Sequence, residues 1–553
     1  MSCTLGVDFG TLSARAIVVD TRNGNILGEQ VFEYPHGVIT EKLPGGHELP
    51  DAWALQNPAD YLEALKITIR GAVDAAKADP SAICGLGIDF TCCTLLPVDA
   101  ALSPLCFRQS FCRNGHAYPK LWKHHAAQPF ADYISKVARQ RNEKFLTHYC
   151  GYISPEWAVP KILEIYCNAP EISAQATYYM EAGDWLVSVL TGELIHSSSF
   201  AAYKSLWNSV SGYPSNEFFE TLAPGFSSEI KKHTAIPVRV VGTRAGRLNK
   251  KYAELLGLCP DIPVAVPSGD AYAAIIGSCV LNAGDMVLVL GTSACNILLS
   301  NSERDIQGID SVLKDAIVPG LYAYEAGQFG TGDALDWFVK HIVPEHFSPP
   351  AANTSEVHRL LSERAAALSP GESGLLALEW FNGNRSILKN ASLSGAIIGL
   401  RMSTKPEEIY RSIIEASAFG QKVIFDALES GGLPIKSVTL CGGIARKNAF
   451  LTQLYSDVLG RELYVNNSTQ SSALGAAIYA SVAAGSDCGG YDLLTDACNH
   501  MKNRDGKWYY PDAQNHKWFE RVYALYRDVH DYFGSTNDLM AELRILKNQV
   551  RGM

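Results

Sequence analysis

The sequence predicts an α/β protein made of two related domains, and three observations carry that prediction. The opening reads as strand (Leu5 to Phe9), tight turn (Gly10-Thr11), strand (Ala14 to Asp20), turn (Asn23-Gly24) and strand (Ile26 to Glu33). An amphipathic stretch from Pro58 to Ala78 follows, with Leu62, Leu65, Ile69, Val73 and Ala76 at helical spacing, and then a β-type run from Ile83 to Phe90. The third observation is a return: Met286 to Ser300 is again strand, Gly-Thr turn and strand, so that Gly291-Thr292 corresponds to Gly10-Thr11. A short likeness separated by most of a domain points to duplication of a whole folding unit.

The second half continues with a long helical pattern from Pro406 to Leu428 and a strand from Ser437 to Cys441. The pair Gly442-Gly443 precedes a helix from Lys447 to Leu459, a strand from Leu463 to Asn466 and a helix from Ala473 to Ala484. The expected division is a first domain over 1–280, with irregular Pro- and aromatic-containing sequence from about 95 to 260 inserted in it, and a second over 281–553.

Composition narrows the partners. Of 553 residues 47% are hydrophobic and 19% charged, enough apolar sequence to fill large cores. Lys plus Arg number 47 against 57 Asp plus Glu, a net charge of −10, which disfavours nucleic acid. No run approaches the ~18 apolar residues of a membrane span, and Met1 leads straight into strand-like sequence, so a cytoplasmic protein is expected. The 14 Cys are scattered and lack metal-ligand spacing, so they read as reduced thiols. His124-His125 has no neighbouring carboxylate or thiolate to complete a metal site, and beside Trp122 it suits a sugar-stacking wall better.

The chemistry sits at the turns. A Gly-Thr turn offers close-approaching backbone N–H groups and one hydroxyl to a phosphate, and it occurs twice. Asp8 lies beside the first turn, with Leu290 at the corresponding place in the second. A carboxylate near phosphate calls for Mg²⁺ between them. Gly442-Gly443, between strand and helix, lets the backbone lie flat against a nucleotide, although neither a dinucleotide fingerprint nor a Walker motif is present. Asp270, in Val264-Ala-Val-Pro-Ser-Gly-Asp270, is expected at a helix N-cap, from which it can accept a substrate hydroxyl proton.

Together Gly6-Val-Asp-Phe-Gly-Thr11, Ser268-Gly-Asp-Ala271, Leu290-Gly-Thr-Ser293, Cys441-Gly-Gly443 and Ala473-Leu-Gly-Ala-Ala477 resemble, in order and spacing, the motif series of the FGGY carbohydrate kinases. Asp89-Phe-Thr-Cys-Cys-Thr94, Leu121-Trp-Lys-His-His-Ala-Ala127, Ala202-Tyr-Lys-Ser-Leu-Trp207, Tyr324-Glu-Ala-Gly327 and Gly371-Glu-Ser-Gly-Leu-Leu-Ala377 are similar to its L-ribulokinase branch.

That resemblance implies the actin/Hsp70/sugar-kinase fold: two RNase H-like domains with ATP in an interdomain cleft, an N-terminal one for sugar and a C-terminal one for nucleotide. It implies ATP-dependent phosphorylation of L-ribulose to L-ribulose 5-phosphate in L-arabinose catabolism. Asp270 would be the general base, Lys204 and Glu325 would bond the other sugar hydroxyls, and the backbone near Cys92 and the Trp122 ring would complete the pocket. Cys92 stands where the family often has Ala. Gly10, Thr11, Gly291 and Thr292 would surround the phosphates; Gly442, Gly443, Asn448, Glu415 and Ala416 the adenosine. Asp8 and Asp270 would flank Mg²⁺. The expected partners are a ketopentose and ATP, not nucleic acid or membrane, with a homodimer as one assembly this allows. The competing readings are a kinase for xylulose or another polyol and, in a different class, an actin- or chaperone-like ATPase.

Overall fold

The computed structural model describes residues 2–149, 151–344, 347, 353–502 and 505–551. The chain groups into two compact units: residues 1–281 with 313–323 and 468–504, and residues 282–312 with 324–467 and 505–553.

The first unit is organised by β1 (Cys3–Phe9), β2 (Ser13–Asp20), β3 (Ile26–Glu33) and β4 (Ile83–Phe90). The sheet order is β3-β2-β1-β4, then the strands Pro263–Ala265 and Arg244–Arg247, with Ser268–Gly269 extending along β4. β1 runs antiparallel to β2 and parallel to β4, in a register that sets Asp8 beside Asp89 and Phe9 beside Phe90.

Helix α1 (Pro58–Ala76) forms where the apolar spacing predicts. Asn57 caps it through Ala59 N–H, Pro58 fits the first turn, and Tyr61, Leu65, Ile69 and Val73 are buried along one stripe. It ends two residues before the expected Ala78 because Lys77 turns left-handed, at φ 50°. Within 95–260, helix Ala182–Thr191 contributes Trp185, Leu186, Val187 and Leu190 to the core cluster, and Arg244–Arg247 is the edge strand of the main sheet.

The helix Ser471–Ala484 belongs to this unit and crosses helix Asp270–Gly277 closely. A Cβ on Gly475 would lie 1.9 Å from the Ala273 carbonyl oxygen, and one on Gly277 1.9 Å from that of Ser471. Only glycines allow this approach.

The second unit repeats the local plan. Strand Asp285–Leu290 runs antiparallel to Ala294–Ser300 and parallel to Ser437–Cys441. The hairpins differ by one residue: Phe9 pairs with Ala14, whereas Leu290 pairs with Ala294. Counting back from the glycines, Asp8 corresponds to Val289, and Leu290 to Phe9, which corrects the expected alignment while leaving the second hairpin without a carboxylate. The expected helix from Lys447 to Leu459 is two helices, Gly443–Lys447 and Ala449–Leu459. Asn448 interrupts them with φ −121° and ψ 88°, and its side chain accepts the Leu451 N–H to cap the second.

Among the described residues no cysteine is in a disulfide, and Cys150 lies outside the described residues. Among the described residues no helix is long and apolar enough to cross a membrane.

Candidate active site

In the first unit the hairpin between β1 and β2 closes with Gly10 N–H on the Ser13 carbonyl at 2.9 Å. Thr11 follows, its hydroxyl accepting the indole N–H of Trp122 at 3.1 Å. Asp8 precedes the turn and pairs with Arg15 across 3.2 Å. Burial raises its carboxyl above the usual range, against the pull of Asp89 and Arg15.

Asp270 is the first residue of its helix, with Gly269 at the N-cap position and Oδ1 accepting the Ala271 N–H at 2.8 Å. The expected N-cap is thus displaced by one residue, because Gly269 is still paired as strand with β4. Burial first, and then the charge of Asp8, push the Asp270 carboxyl up to about 7, while Lys204 pulls it down. Lys204 ends the helix Ser198–Lys204, and its charge also lowers the otherwise strongly raised thiol of Cys92. The structure therefore brings Asp8, Asp270, Lys204 and Cys92 into one electrostatic neighbourhood, with Trp122 tied to it through Thr11.

Asp89 opens one of the motifs quoted from the sequence but has no role assigned to it there. It is fully buried, and burial followed by the Asp8 charge raises its carboxyl well above the ordinary carboxylate range. The signal was present: β1 and β4 both end in Gly-x-Asp-Phe, and their parallel register aligns the pairs, with Phe9 and Phe90 stacked at 5.0 Å.

In the second unit Glu325 receives Arg385 Nη2 at 2.6 Å, and the same guanidinium holds Asp310 through Nε at 2.6 Å. Burial pushes Asp310 up to about 6 despite that partner.

The second unit also contains a cavity of about 690 Å³, within the range of small-molecule sites. Gly291, Thr292, Gly443 and Asn448 line it. Gly332 N–H, in the first turn of helix Thr331–His341, bonds the Gly291 and Thr292 carbonyls at 3.1 and 3.0 Å and draws the hairpin turn onto the helix. A polar chain crosses the wall: Asp336 to His358 Nε2 at 3.2 Å, His358 Nδ1 to the Tyr410 hydroxyl at 3.0 Å, and Asn448 Nδ2 to Ser362 at 3.0 Å. These residues come from three helices, Thr331–His341, Thr354–Ala366 and Pro406–Ser430, and from the break at Asn448, and no local motif marks them.

The adjacent glycines divide their work. Gly442 has φ +100°, and a Cβ there would lie 2.2 Å from the Leu290 carbonyl oxygen, so it serves close packing and does not line the cavity. A Cβ on Gly443 would meet nothing within 4 Å. Glu415 and Ala416 are not on the cavity wall: both are buried within helix Pro406–Ser430, where Glu415 accepts Arg411 Nε at 2.6 Å.

His124 is buried against Glu164 at 3.1 Å, and His125 faces Glu156 at 3.3 Å. Among the described residues no group of three or more His, Cys, Asp or Glu is arranged to hold a metal by itself.

Comparison with known proteins fits this construction. The chain is 43% identical over 552 residues to a ribulokinase of Shouchella clausii, covering 99% of this chain and 98% of that protein. It is 43% identical to a ribulokinase of Bacillus licheniformis, covering 97% and 98%. The crystal structure of a xylulose kinase from Rhodospirillum rubrum superposes with a TM-score of 0.78 at 20% identity, covering 96% of this chain and 98% of that one, a likeness of fold. Residues 3–277 match the N-terminal domain of the FGGY family of carbohydrate kinases and residues 286–484 its C-terminal domain, and with both halves accounted for, the chain belongs to that family.

Proposed function

We propose that this carbohydrate kinase transfers the γ-phosphoryl of ATP to the terminal hydroxyl of L-ribulose. The observation that carries the reading is Asp270, a carboxyl raised to about 7 at the start of its helix. A group poised there is half ionised near neutral pH and is well matched to accept a hydroxyl proton. The ribulokinase relatives, similar over nearly the full length, support the sugar assignment.

Lys204 and Glu325 are read as partners of the remaining sugar hydroxyls, with Arg385 fixing the orientation of Glu325. The backbone around Cys92 and the Trp122 ring would bound the sugar. Gly10, Thr11, Gly291 and Thr292 would contact phosphates. In the second unit, Gly443, Asn448 and the polar wall would receive the nucleoside.

Asp8 and Asp270 suit Mg²⁺: the negative charge of Asp8 makes Asp270 costlier to ionise, a cation relieves that cost, and Mg²⁺ accepts one or two carboxylates while phosphate oxygens and waters complete its shell. When bound, the ion would neutralise phosphate charge. Asp270 would take the hydroxyl proton, Lys204 would hold the sugar, and alignment would supply most of the acceleration.

A coupled ADP-release assay over a panel of ketopentoses and polyols tests the reading, run beside Asp270→Asn. L-Ribulose should give the highest kcat/KM. ATP turnover indifferent to every sugar would overturn it.

A further inference from the structure

Lys161 is wholly buried on the helix Ala158–Asn168, and its ammonium meets no carboxylate within ion-pair distance among the described residues. It spends its three N–H groups on backbone carbonyls instead: Cys93 at 2.5 Å, Lys120 at 3.1 Å and Leu121 at 3.0 Å. Burying a charge with no carboxylate in contact is costly, so the arrangement demands an explanation.

The acceptors supply one. Cys93 directly follows Cys92, and Leu121 directly precedes Trp122. Cys93 is held at φ +64°, a left-handed conformation that non-glycine residues resist and that persists only where surroundings enforce it. On its other side the turn is held by Glu181, also buried, whose Oε2 accepts the Thr94 N–H at 2.9 Å. Cys92 Sγ in turn lies 2.3 Å from where a Cβ on Gly269 would be, one residue from Asp270.

We propose that Lys161, assisted by Glu181, is a positioning residue for sugar recognition: it fixes the 91–94 turn and the 120–122 segment relative to each other without touching the sugar. The proposal rests on the reading of Cys92 and Trp122 as sugar contacts. Losing the clamp lets Cys93 relax toward ordinary φ and moves both contacts, so sugar binding suffers while the nucleotide cavity, built from other residues, does not.

The test compares Lys161→Met with the parent enzyme. The expected result is a rise of at least about tenfold in the KM for L-ribulose, with the KM for ATP within twofold, a split expected when only one substrate's contacts shift. Adding Cys93→Gly should recover part of the loss, because glycine holds a positive φ without enforcement. A merely structural role predicts no such split, and Val458→Ala, in the core of the second unit, controls for lowered stability. If Lys161→Met does not fold, Glu181→Gln, which removes the negative charge near Lys161, carries the same split at about threefold. An unchanged sugar KM in a folded Lys161→Met, or in Glu181→Gln should that variant be the one measured, overturns the clamp. Trp122→Ala separates the two failures: if it raises the sugar KM while the clamp variants do not, only the clamp is wrong. If none of these variants changes it, the sugar-pocket reading falls and the clamp falls with it.

Discussion

The indole N–H of Trp122 bonds the hydroxyl of Thr11 at 3.1 Å, which joins a residue read as sugar wall to the hairpin read as phosphate cradle. Trp122→Phe keeps an aromatic ring but removes the donor, together with part of the ring area. A net hydrogen bond is worth about 0.5–1.5 kcal/mol, so the sugar KM should rise roughly two- to tenfold. Since Trp122 is 37% exposed, the melting temperature should stay within about 2 °C. A KM unchanged in steady-state kinetics would detach Thr11 from sugar binding.

Asp270→Asn keeps the shape and removes the base. We expect kcat to fall about 10²–10⁴-fold, the usual worth of a positioned proton acceptor, with ADP affinity by calorimetry within about threefold. An active variant would end the base assignment.

The elements were more legible in the sequence than the contacts. β1, α1 and β4 follow from spacing, and the duplicated Gly-Thr turns located both hairpins. The places of Asp8 and Asp270 in the fold were readable because each sits where a strand gives way to a turn or helix. Asp89 was written in plain view, yet its place beside Asp8 depends on a parallel register that only folding supplies. For Glu415, which the family resemblance set beside the adenosine, the direction of the side chain is decided by packing, and here it turns to Arg411 on its own helix. His358 and Tyr410 stand 52 residues apart and meet only through tertiary structure.

The pH profile should carry the mark of the Asp8 charge. Asp270 must be ionised to accept a proton, so kcat/KM should fall about tenfold per unit as pH drops below roughly 7. Bound cation would lower that inflection. Because the negative charge of Asp8 raises the Asp270 carboxyl, Asp8→Asn should move the acid limb to lower pH even as it slows the reaction. A limb that stays in place or moves up would show that the two carboxyls do not interact.

The Arg411–Glu415 pair separates a structural carboxylate from a nucleotide contact. Both side chains are buried, and Arg411 Nη1 also donates to the Ala365 and Leu368 carbonyls at 2.8 and 2.6 Å. Glu415→Gln leaves an uncompensated buried guanidinium, at a cost of about 3–5 kcal/mol. Thermal unfolding should shift down by several degrees while the ATP KM of the folded enzyme stays within twofold. An ATP KM raised tenfold at unchanged stability would return Glu415 to the nucleotide.

Gly442 and Gly443 should respond to the same alanine substitution in opposite ways. In Gly442→Ala the new methyl meets the Leu290 carbonyl at the end of a central strand, and φ +100° adds backbone strain. Relief requires Ser437–Cys441 to move away from Asp285–Leu290, so a fall in melting temperature of roughly 4 °C or more is expected. In Gly443→Ala the methyl enters open cavity space, and stability should change by about 1 °C or less, alanine also being the better helix former. Its cost falls on the ligand: a nucleotide lying against that backbone is displaced by the added methyl, so the ATP KM should rise at least about fivefold while the sugar KM holds. Equal effects of the two substitutions on stability and on ATP binding would mean that neither glycine faces the nucleotide alone, and the division between packing and binding drawn from their geometry would be wrong.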